Sequence, residues 1–531
     1  MATTAHGPTV DLALATVTSP PPLSDWLVVV PVVLCLSSAA IALMLRRRVA
    51  LQPVIAIVAL SLLLATDIAL LLKVFVDGPI VMVMGKWLAP FGIAFEVDAM
   101  GITFATTAAF VALAGAITMR AEFNPLERRY GAYPFLLLLM AGVSGAFLTG
   151  DIFNLYVWFE VLLISSFGLI VMGSEKPQID GAVKYALLNL MATTLFLVAT
   201  GLLYGTLGTL NMADIARITP TLPSTSPLVP IAALYFFAFG MKAAAFPVNF
   251  WLPASYHTPR VVVSALFSGL LTKVGVYALL RTLILMLPVQ AAMYTDVAAW
   301  VAGLTILVGA FGALAHSDLR RQLGYIIVSG IGAMLVAIAI PNTDAVAGAI
   351  FYAVHSMIVM TALYLAAGIM ARRTGGSFDL RKLGGLYGAD PLLAGIFLVL
   401  ALAVAGLPPF SGFWPKLMLV DAAISAGHGW LAAAILFGGF LTTLAVGRVW
   451  IFAFLRGGPE GTADGTTAFA PVALGTPSTR ITLMVPLVVL TLAAILIGVF
   501  PAPLHVLSSV AAFGLIDPST YIGAVYGAAG G

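Results

Sequence analysis

Charge is what this sequence has least of. Its 531 residues include only 25 Lys and Arg and 22 Asp and Glu, 9% of the chain, against about 25% in an ordinary soluble domain. With 61% hydrophobic residues and a mean hydropathy of +1.08, this composition excludes the soluble globular class and indicates an integral membrane protein. The net charge of +3, with no large Lys/Arg block, excludes nucleic acid as a partner. Cysteine is almost missing: Cys35 stands alone inside the first apolar run, so an internal disulfide, a CxxC motif and cysteine-held iron–sulfur clusters are excluded, and it reads as a small hydrophobe on a helix face. Residues 1–24 hold no Lys or Arg, hence no basic n-region of a cleaved signal, and are expected to form a short polar tail. The chain also lacks a P-loop, a Rossmann glycine signature, any Ser/His/Asp grouping of recognisable spacing and a carboxylate cluster able to cage a sodium ion. No cofactor or metal is therefore expected, and no ATP or bound redox centre within this chain.

Apolar runs take their place. Stretches of about 20 residues, long enough to cross a ~30 Å hydrocarbon core as helix, recur from Trp26 almost to the C-terminus. Length and polar breaks give about fourteen spans, starting near Asp25, Leu51, Met100, Tyr133, Asp151, Ile179, Ser226, Arg260, Tyr294, Leu319, Ala345, Pro391, Trp430 and Ile481. The expected fold is all-α and membrane-embedded. Arg46, Arg47 and Arg48 fall in the first loop, and alternate loops then hold Arg120, Arg128 and Arg129; Lys176; Arg320 and Arg321; Arg372, Arg373, Arg381 and Lys382; and Arg456 and Arg480, while the others hold little beyond Lys86 and Arg217. Basic loops stay in the cytoplasm, so the chain is expected in the cell membrane with both termini outside.

Two spans are interrupted in related ways. The seventh reads KAAAFPVNFWLPASYHTPR and the twelfth AGLPPFSGFWPKLML, each with prolines and a Phe-Trp pair next to a lysine. Proline removes a backbone donor and clashes with the preceding turn, so both helices are expected to break. Broken helices at corresponding points suggest an internal repeat around a midplane polar site; the breaks lie five spans apart, an odd number, so the second copy would run inverted. The alternative is a pair of unrelated proline kinks. The expected organisation is a tail (1–24), N-terminal helices with a hairpin (25–132), a first five-helix repeat (133–286), a second, inverted one (287–456), and a loop, last span and C-terminal tail (457–531). Asp77 to Phe95, DGPIVMVMGKWLAPFGIAF, is too short and too broken to span, and its β-branched stretch before Gly85 is expected to form an external hairpin. Beyond Pro501 the chain is small and apolar, suited to an interface or a partner.

A charge at the bilayer centre costs roughly 2.5–3.5 kcal/mol on insertion scales, so each intramembrane ionisable group is a candidate site. By depth these are Asp67, Glu160, Lys184, Lys242, Lys273, His355 and Lys416; Arg281, Asp421 and Arg448 lie nearer span ends and can snorkel to the interface. Glu160, in NLYVWFEVLLISSFGLI, and Lys242 are the evident acid and base of one five-helix unit. At about 4 Å and an effective dielectric near 20 such a pair gains about 4 kcal/mol, close to what inserting one charge costs. A static packing pair is the alternative. Four deep lysines face two deep carboxylates, so the lysines cannot all be paired. A buried lysine whose carboxylate neighbour can be drawn away has two proton affinities, and such groups with His355 would form a proton wire. For His355 a hydrogen-bonded core role stands equally, Lys184 and Asp67 have packing or interfacial alternatives, and His257 belongs at a cytoplasmic edge.

Several stretches resemble one family. WLPASYHTPRVVVSALFSGLLTKVGVYALLR is similar to the signature loop and eighth span of the proton-translocating, antiporter-like membrane subunits shared by respiratory complex I, membrane-bound hydrogenases and Mrp multi-subunit Na+/H+ antiporters. NLYVWFEVLLISSFGLI resembles their glutamate-bearing fifth span, SDLRRQLGYIIVSGIG the loop into the tenth, and AGLPPFSGFWPKLML the broken twelfth; the likeness runs from about Tyr133 to about Arg456. It implies that Glu160 and Lys242 are the coupled ion pair of a first half-channel, Lys273 the connecting lysine, His355 the histidine of the eleventh span, and Lys416 the terminal proton site of a second half-channel. Where some relatives carry a lysine soon after that histidine, this chain reads HSMIVMTALYL, with Met357 and Met360, leaving water or His355 to bridge. Lysine at 416 and the length fit the D-type subunits of the Mrp branch best. The resemblance thus implies a secondary transporter subunit, not an enzyme, working beside other membrane subunits and moving protons against Na+ or another monovalent cation. The rivals are a proton-pumping subunit of a redox-driven complex and a scaffold without transport.

Overall fold

The computed structural model describes residues 22–222, 226–462 and 472–527, so the tail expected at 1–24 lies almost wholly outside the described residues. After a 3-10 turn at Leu23–Val28, α1 (Val30–Met44), α2 (Gln52–Asp77) and α3 (Ala99–Glu122) form an N-terminal group. The one-turn α4 (Pro125–Arg129) leads to α5 (Ala132–Leu148), α6 (Ile152–Ile170) and α7 (Lys176–Leu207), followed by the short α8 (Met212–Ile218). Next come α9 (Leu228–Ala243), the short α10 (Trp251–Ser255), α11 (Val261–Leu280) and α12 (Pro288–Ala291). Then α13 (Thr295–Ala315), α14 (Leu319–Ala339), α15 (Thr343–Arg373), the short α16 (Leu386–Ala389), α17 (Pro391–Ala405), α18 (Phe413–Ser425) and α19 (Gly429–Val449) follow, before α20 (Pro477–Val499), α21 (Ala502–Ile516) and α22 (Ser519–Gly527). Among the described residues ten helical stretches are long and apolar enough to cross a membrane, and five more apolar helices are shorter. The interrupted spans account for part of the difference from the expected fourteen.

Helices apolar on every side have no face to offer to water and are surrounded by others. Every residue from Val262 to Leu280 in α11 and from Ala345 to Ala371 in α15 is buried. These two pack on each other and on α3 as the core of the chain. A Cβ on Gly269 of α11 would collide with the Thr361 hydroxyl of α15, so that crossing is closed to larger residues. α7 lies at the periphery, with Val183, Leu187, Leu190, Met191 and Leu197 exposed, a face fit for lipid.

Both expected breaks are present. α9 ends at Ala243, where Ala244 takes a left-handed turn (φ 65°), and the chain resumes as α10, pinned by Trp251 Nε1 donating to the Met241 carbonyl at 3.0 Å. α17 ends at Ala405 on left-handed Gly406 (φ 85°) and resumes as α18, with Trp414 Nε1 donating to the Gly498 carbonyl at 2.8 Å. The expected hairpin forms from β1 (Ile80–Val83) and β2 (Ala94–Val97), antiparallel with Ile80 opposite Val97. Beyond Pro501 the chain packs on itself: α21 lies against α15 and α3, and α22 against α8 and β1.

The closest helix pair is α13 and α14. A Cβ on Gly309 would strike the Ser329 backbone, one on Gly332 the backbone of Ala302 and Ile306, and one on Gly312 the Tyr325 ring. Small residues let backbones approach where lipid gives no hydrophobic drive. Gly309→Val is expected to cost about 1–3 kcal/mol by overpacking and to lower the melting temperature of the purified protein. Gly201→Ala, where a Cβ meets nothing within 4 Å, should leave it unchanged or slightly raised.

Candidate functional site

Each expected proton-carrying base is placed by a helix break or a buried helix. Lys242 sits in the last turn of α9, just before the break; it is 2% exposed and its Nζ has no hydrogen-bond partner. What it has is the face of Phe159, with Nζ 5.4 Å from the ring centroid, a cation–π geometry. Glu160, the next residue on α6, is half-buried and its charge acts on Lys242 across space. Among the described residues no salt bridge joins the two, so the expected acid and base are neighbours without being in contact.

Lys273 is at the centre of α11, fully buried, and its ammonium donates to the Ser268 carbonyl at 2.6 Å. His355 lies on α15, 1% exposed, with Nδ1 2.8 Å from the Ser411 hydroxyl, which the break after α17 supplies. The charges of Lys416 and Lys273 both act on His355 across space. Lys416, in the first turn of α18, donates to the carbonyls of Val404 and Ala405 at 3.1 and 2.7 Å. These end α17, and a helix C-terminus with unsatisfied carbonyls favours a cation.

Two cavities reach Lys416. One of 10 Å³, about the size for a single water, touches Ser329, Tyr352, Lys416 and Thr442. Tyr352 packs edge-on against His355 with ring centroids 5.5 Å apart, so a water there sits between the neighbourhood of His355 and the lysine. The other, of 370 Å³, opens past Leu417, Leu436 and Phe440, side chains exposed on the flank. The arrangement can bind, hold and release protons at successive amines.

Two readings of depth are corrected. Lys184 is not in the interior: it is 49% exposed and pairs with Asp180 one turn earlier, at 2.5 Å, because position along an apolar run gives depth but not the face. Arg281 does not snorkel; it is 0% exposed and forms a bidentate pair with Asp98, both bonds 2.8 Å, beneath α22. Arg448 caps the end of α13 through the carbonyls of Leu314 and His316. Asp67 is buried in α2 with neither carboxyl oxygen hydrogen-bonded, while Asp421 is exposed, as its place near a helix end suggested. Sequence reasoning missed Ser411, a small residue inside a proline-rich break, and Glu96 and Asp98, which precede α3 and read as loop.

At the face bearing the arginine-rich loops, a 340 Å³ cavity is lined by Arg260, Arg320, Arg372, Glu122 and Glu175. His257 lies beside it. Arg321 donates to Nε2 at 3.1 Å, so Nδ1 carries the hydrogen and donates to the Pro253 carbonyl at 2.9 Å. Burial first, and the Arg321 charge second, push its pKa down to about 4, below the ~6.5 of a free histidine. The unfolded chain therefore binds more protons there, and stability should fall as pH drops from about 6.5 through about 4. His257→Gln is expected to remove that part of the acid sensitivity, read as melting temperature at about pH 5 against about pH 7.

Residues 149–442 match the family described as "NADH:quinone oxidoreductase/Mrp antiporter, TM". The chain is 38% identical over 503 residues to the D-type Na(+)/H(+) antiporter subunit of Alkalihalophilus pseudofirmus, covering 94% of this chain and 99% of the relative, and 36% identical to its counterpart in Bacillus subtilis, covering 80% and 86%. Among solved structures, a chain of the Mrp complex from Dietzia sp. superposes with a TM-score of 0.86 at 30% identity, over 95% of this chain and 100% of that one. A chain of respiratory complex I from Thermus thermophilus shares the fold, with a TM-score of 0.77 at 24% identity over 93% of this chain and 100% of the other. The chain, a multi-pass membrane protein, therefore belongs to the NADH:quinone oxidoreductase/Mrp antiporter family.

Proposed function

We propose that this chain is the proton-carrying, D-type subunit of a multi-subunit Na+/H+ antiporter. It works beside other membrane subunits in the cell membrane and exchanges protons for Na+ or another monovalent cation. The observation that carries the reading is the series Lys242, Lys273, His355 and Lys416: buried or half-buried basic groups, with more bases than acids to pair them. The likeness to antiporter subunits over nearly the whole chain supports it.

In this reading the chain comprises two inverted half-channels, residues 133–286 and 287–456, each built around a broken helix. The arginine-rich face is cytoplasmic by charge bias, and both termini lie outside. When Glu160 and Lys242 draw apart or together, the field at Lys273 changes, and with it the proton affinity at His355 and Lys416. In this reading the cation crosses elsewhere, in a partner or at an interface. A redox-driven assembly remains the second reading because a complex I chain shares the fold. Copurifying flavin and iron–sulfur proteins would favour it; small hydrophobic companions alone favour the antiporter.

Glu160→Ala and Lys242→Ala are each expected to lower cation-driven proton movement in everted vesicles by roughly fivefold or more, the lower range for coupled sites, with the complex still assembled. Native exchange rates in an assembled complex would sink the assignment.

A further inference from the structure

One fully buried acid stands outside the lysine series. Glu96 is 0% exposed, and its carboxyl oxygens make no well-formed hydrogen bond, although the Tyr521 hydroxyl is set toward them. It lies on β2, and Asp98, two residues on, is the N-cap of α3. Asp98 is already committed: it caps α3 by accepting from the Gly101 N–H at 2.8 Å, and its two oxygens receive both arms of the Arg281 guanidinium. Arg281 in turn donates to the Tyr277 hydroxyl at 3.0 and 3.3 Å, and that hydroxyl donates to the Phe147 carbonyl at 3.1 Å.

The titratable and charged groups facing Glu96 come from every side. They are Arg281 beyond the end of α11, Asp98 before α3 and Tyr521 of α22. Tyr277 stands behind Arg281. Across Gly150, whose Cα side abuts the Glu96 side chain, lies Asp151, pushed up to about 6 by its own burial. An ionised carboxylate with only a phenolic hydroxyl set toward it is disfavoured in such a place, and the nearby guanidinium is already taken. Burial accordingly pushes the Glu96 carboxyl well above the usual range, against the opposing pull of Arg281.

We propose that Glu96 is a further proton-binding site of this subunit, at the hairpin, whose occupancy is transmitted through Arg281 and Tyr277 to Lys273. Lys273, Tyr277 and Arg281 follow at successive turns of one buried helix and its continuation, and so share a face. With Glu96 protonated, Arg281 belongs to Asp98. When the proton passes to water, the new carboxylate becomes a second claimant for Arg281, the hold on Tyr277 loosens, and the positive charge shifts relative to Lys273. Proton exchange has a route: a 220 Å³ cavity lined by Asp98, Tyr521, Phe75, Gly78, Pro79 and Val510 reaches two of the groups around Glu96.

This inference rests on the proton-carrying reading, and its test separates the two. Infrared difference spectra of the purified complex across a pH step should show the band of a protonated buried carboxyl that is absent in Glu96→Gln and displaced in Glu96→Asp. In everted vesicles Glu96→Gln should reduce exchange by roughly fivefold or more at alkaline pH, with Glu96→Asp restoring part of it. An identical band in native and Glu96→Gln complexes, or coincident pH profiles, would overturn the proposal. If Glu96→Gln does not assemble, the band in Glu96→Asp decides, and one that has not moved overturns it. Because the band is read without transport, it stands or falls independently of whether Lys242→Ala abolishes exchange.

Discussion

An ammonium group inside hydrocarbon needs oxygen around it, and a regular helix offers only the second lone pair of carbonyls already bonded to its own N–H groups, as Ser268 does for Lys273. Much of this architecture follows from that shortage. At Lys416 the remedy is a broken helix: α17 stops at Ala405, its last carbonyls lose their intrahelical donors, and the lysine occupies them. The same break delivers the Ser411 hydroxyl to His355. The prolines of the sequence are thus part of the site's chemistry, since without the interruption neither group has its partner.

Burial then sorts the series. Lys273 and His355 lie on α11 and α15, the two helices surrounded on all sides, and are sealed from lipid. Glu160 and Lys416, toward the two ends, are only half-buried. A neighbouring subunit can therefore reach the ends without entering the core. The packing of the middle depends on glycine: at Gly269, and between α13 and α14 at Gly309 and Gly332, a larger residue would collide with the facing helix.

The parts of this structure legible in sequence were those written in one dimension. Proline next to lysine announced both helix breaks, and alternating β-branched residues announced the hairpin. The expected residues Lys242, Lys273 and His355 are buried and Lys416 is half-buried. What a linear pattern does not carry is direction around a helix. Lys184 lies as deep along its run as others but faces outward, and Asp180 four residues before it was the available clue. Arg281 looked terminal because the helices that cover it, α21 and α22, are more than two hundred residues away in the chain. Glu96 was hidden for the same reason: an acid in a short hairpin reads as solvated until the C-terminal helices close over it.

The lysines differ in how firmly each is held. Lys273 and Lys416 have carbonyl acceptors fixed by backbone, which do not move without unwinding a helix. Lys242 has no hydrogen bond at all, only an aromatic face and the field of a half-buried carboxylate. A small displacement of Glu160 changes most of what stabilises its charge, whereas the same displacement near Lys416 changes little. Among these amines, then, the one whose proton affinity responds most to a neighbour is Lys242, and the helix break beside it gives the backbone room to follow.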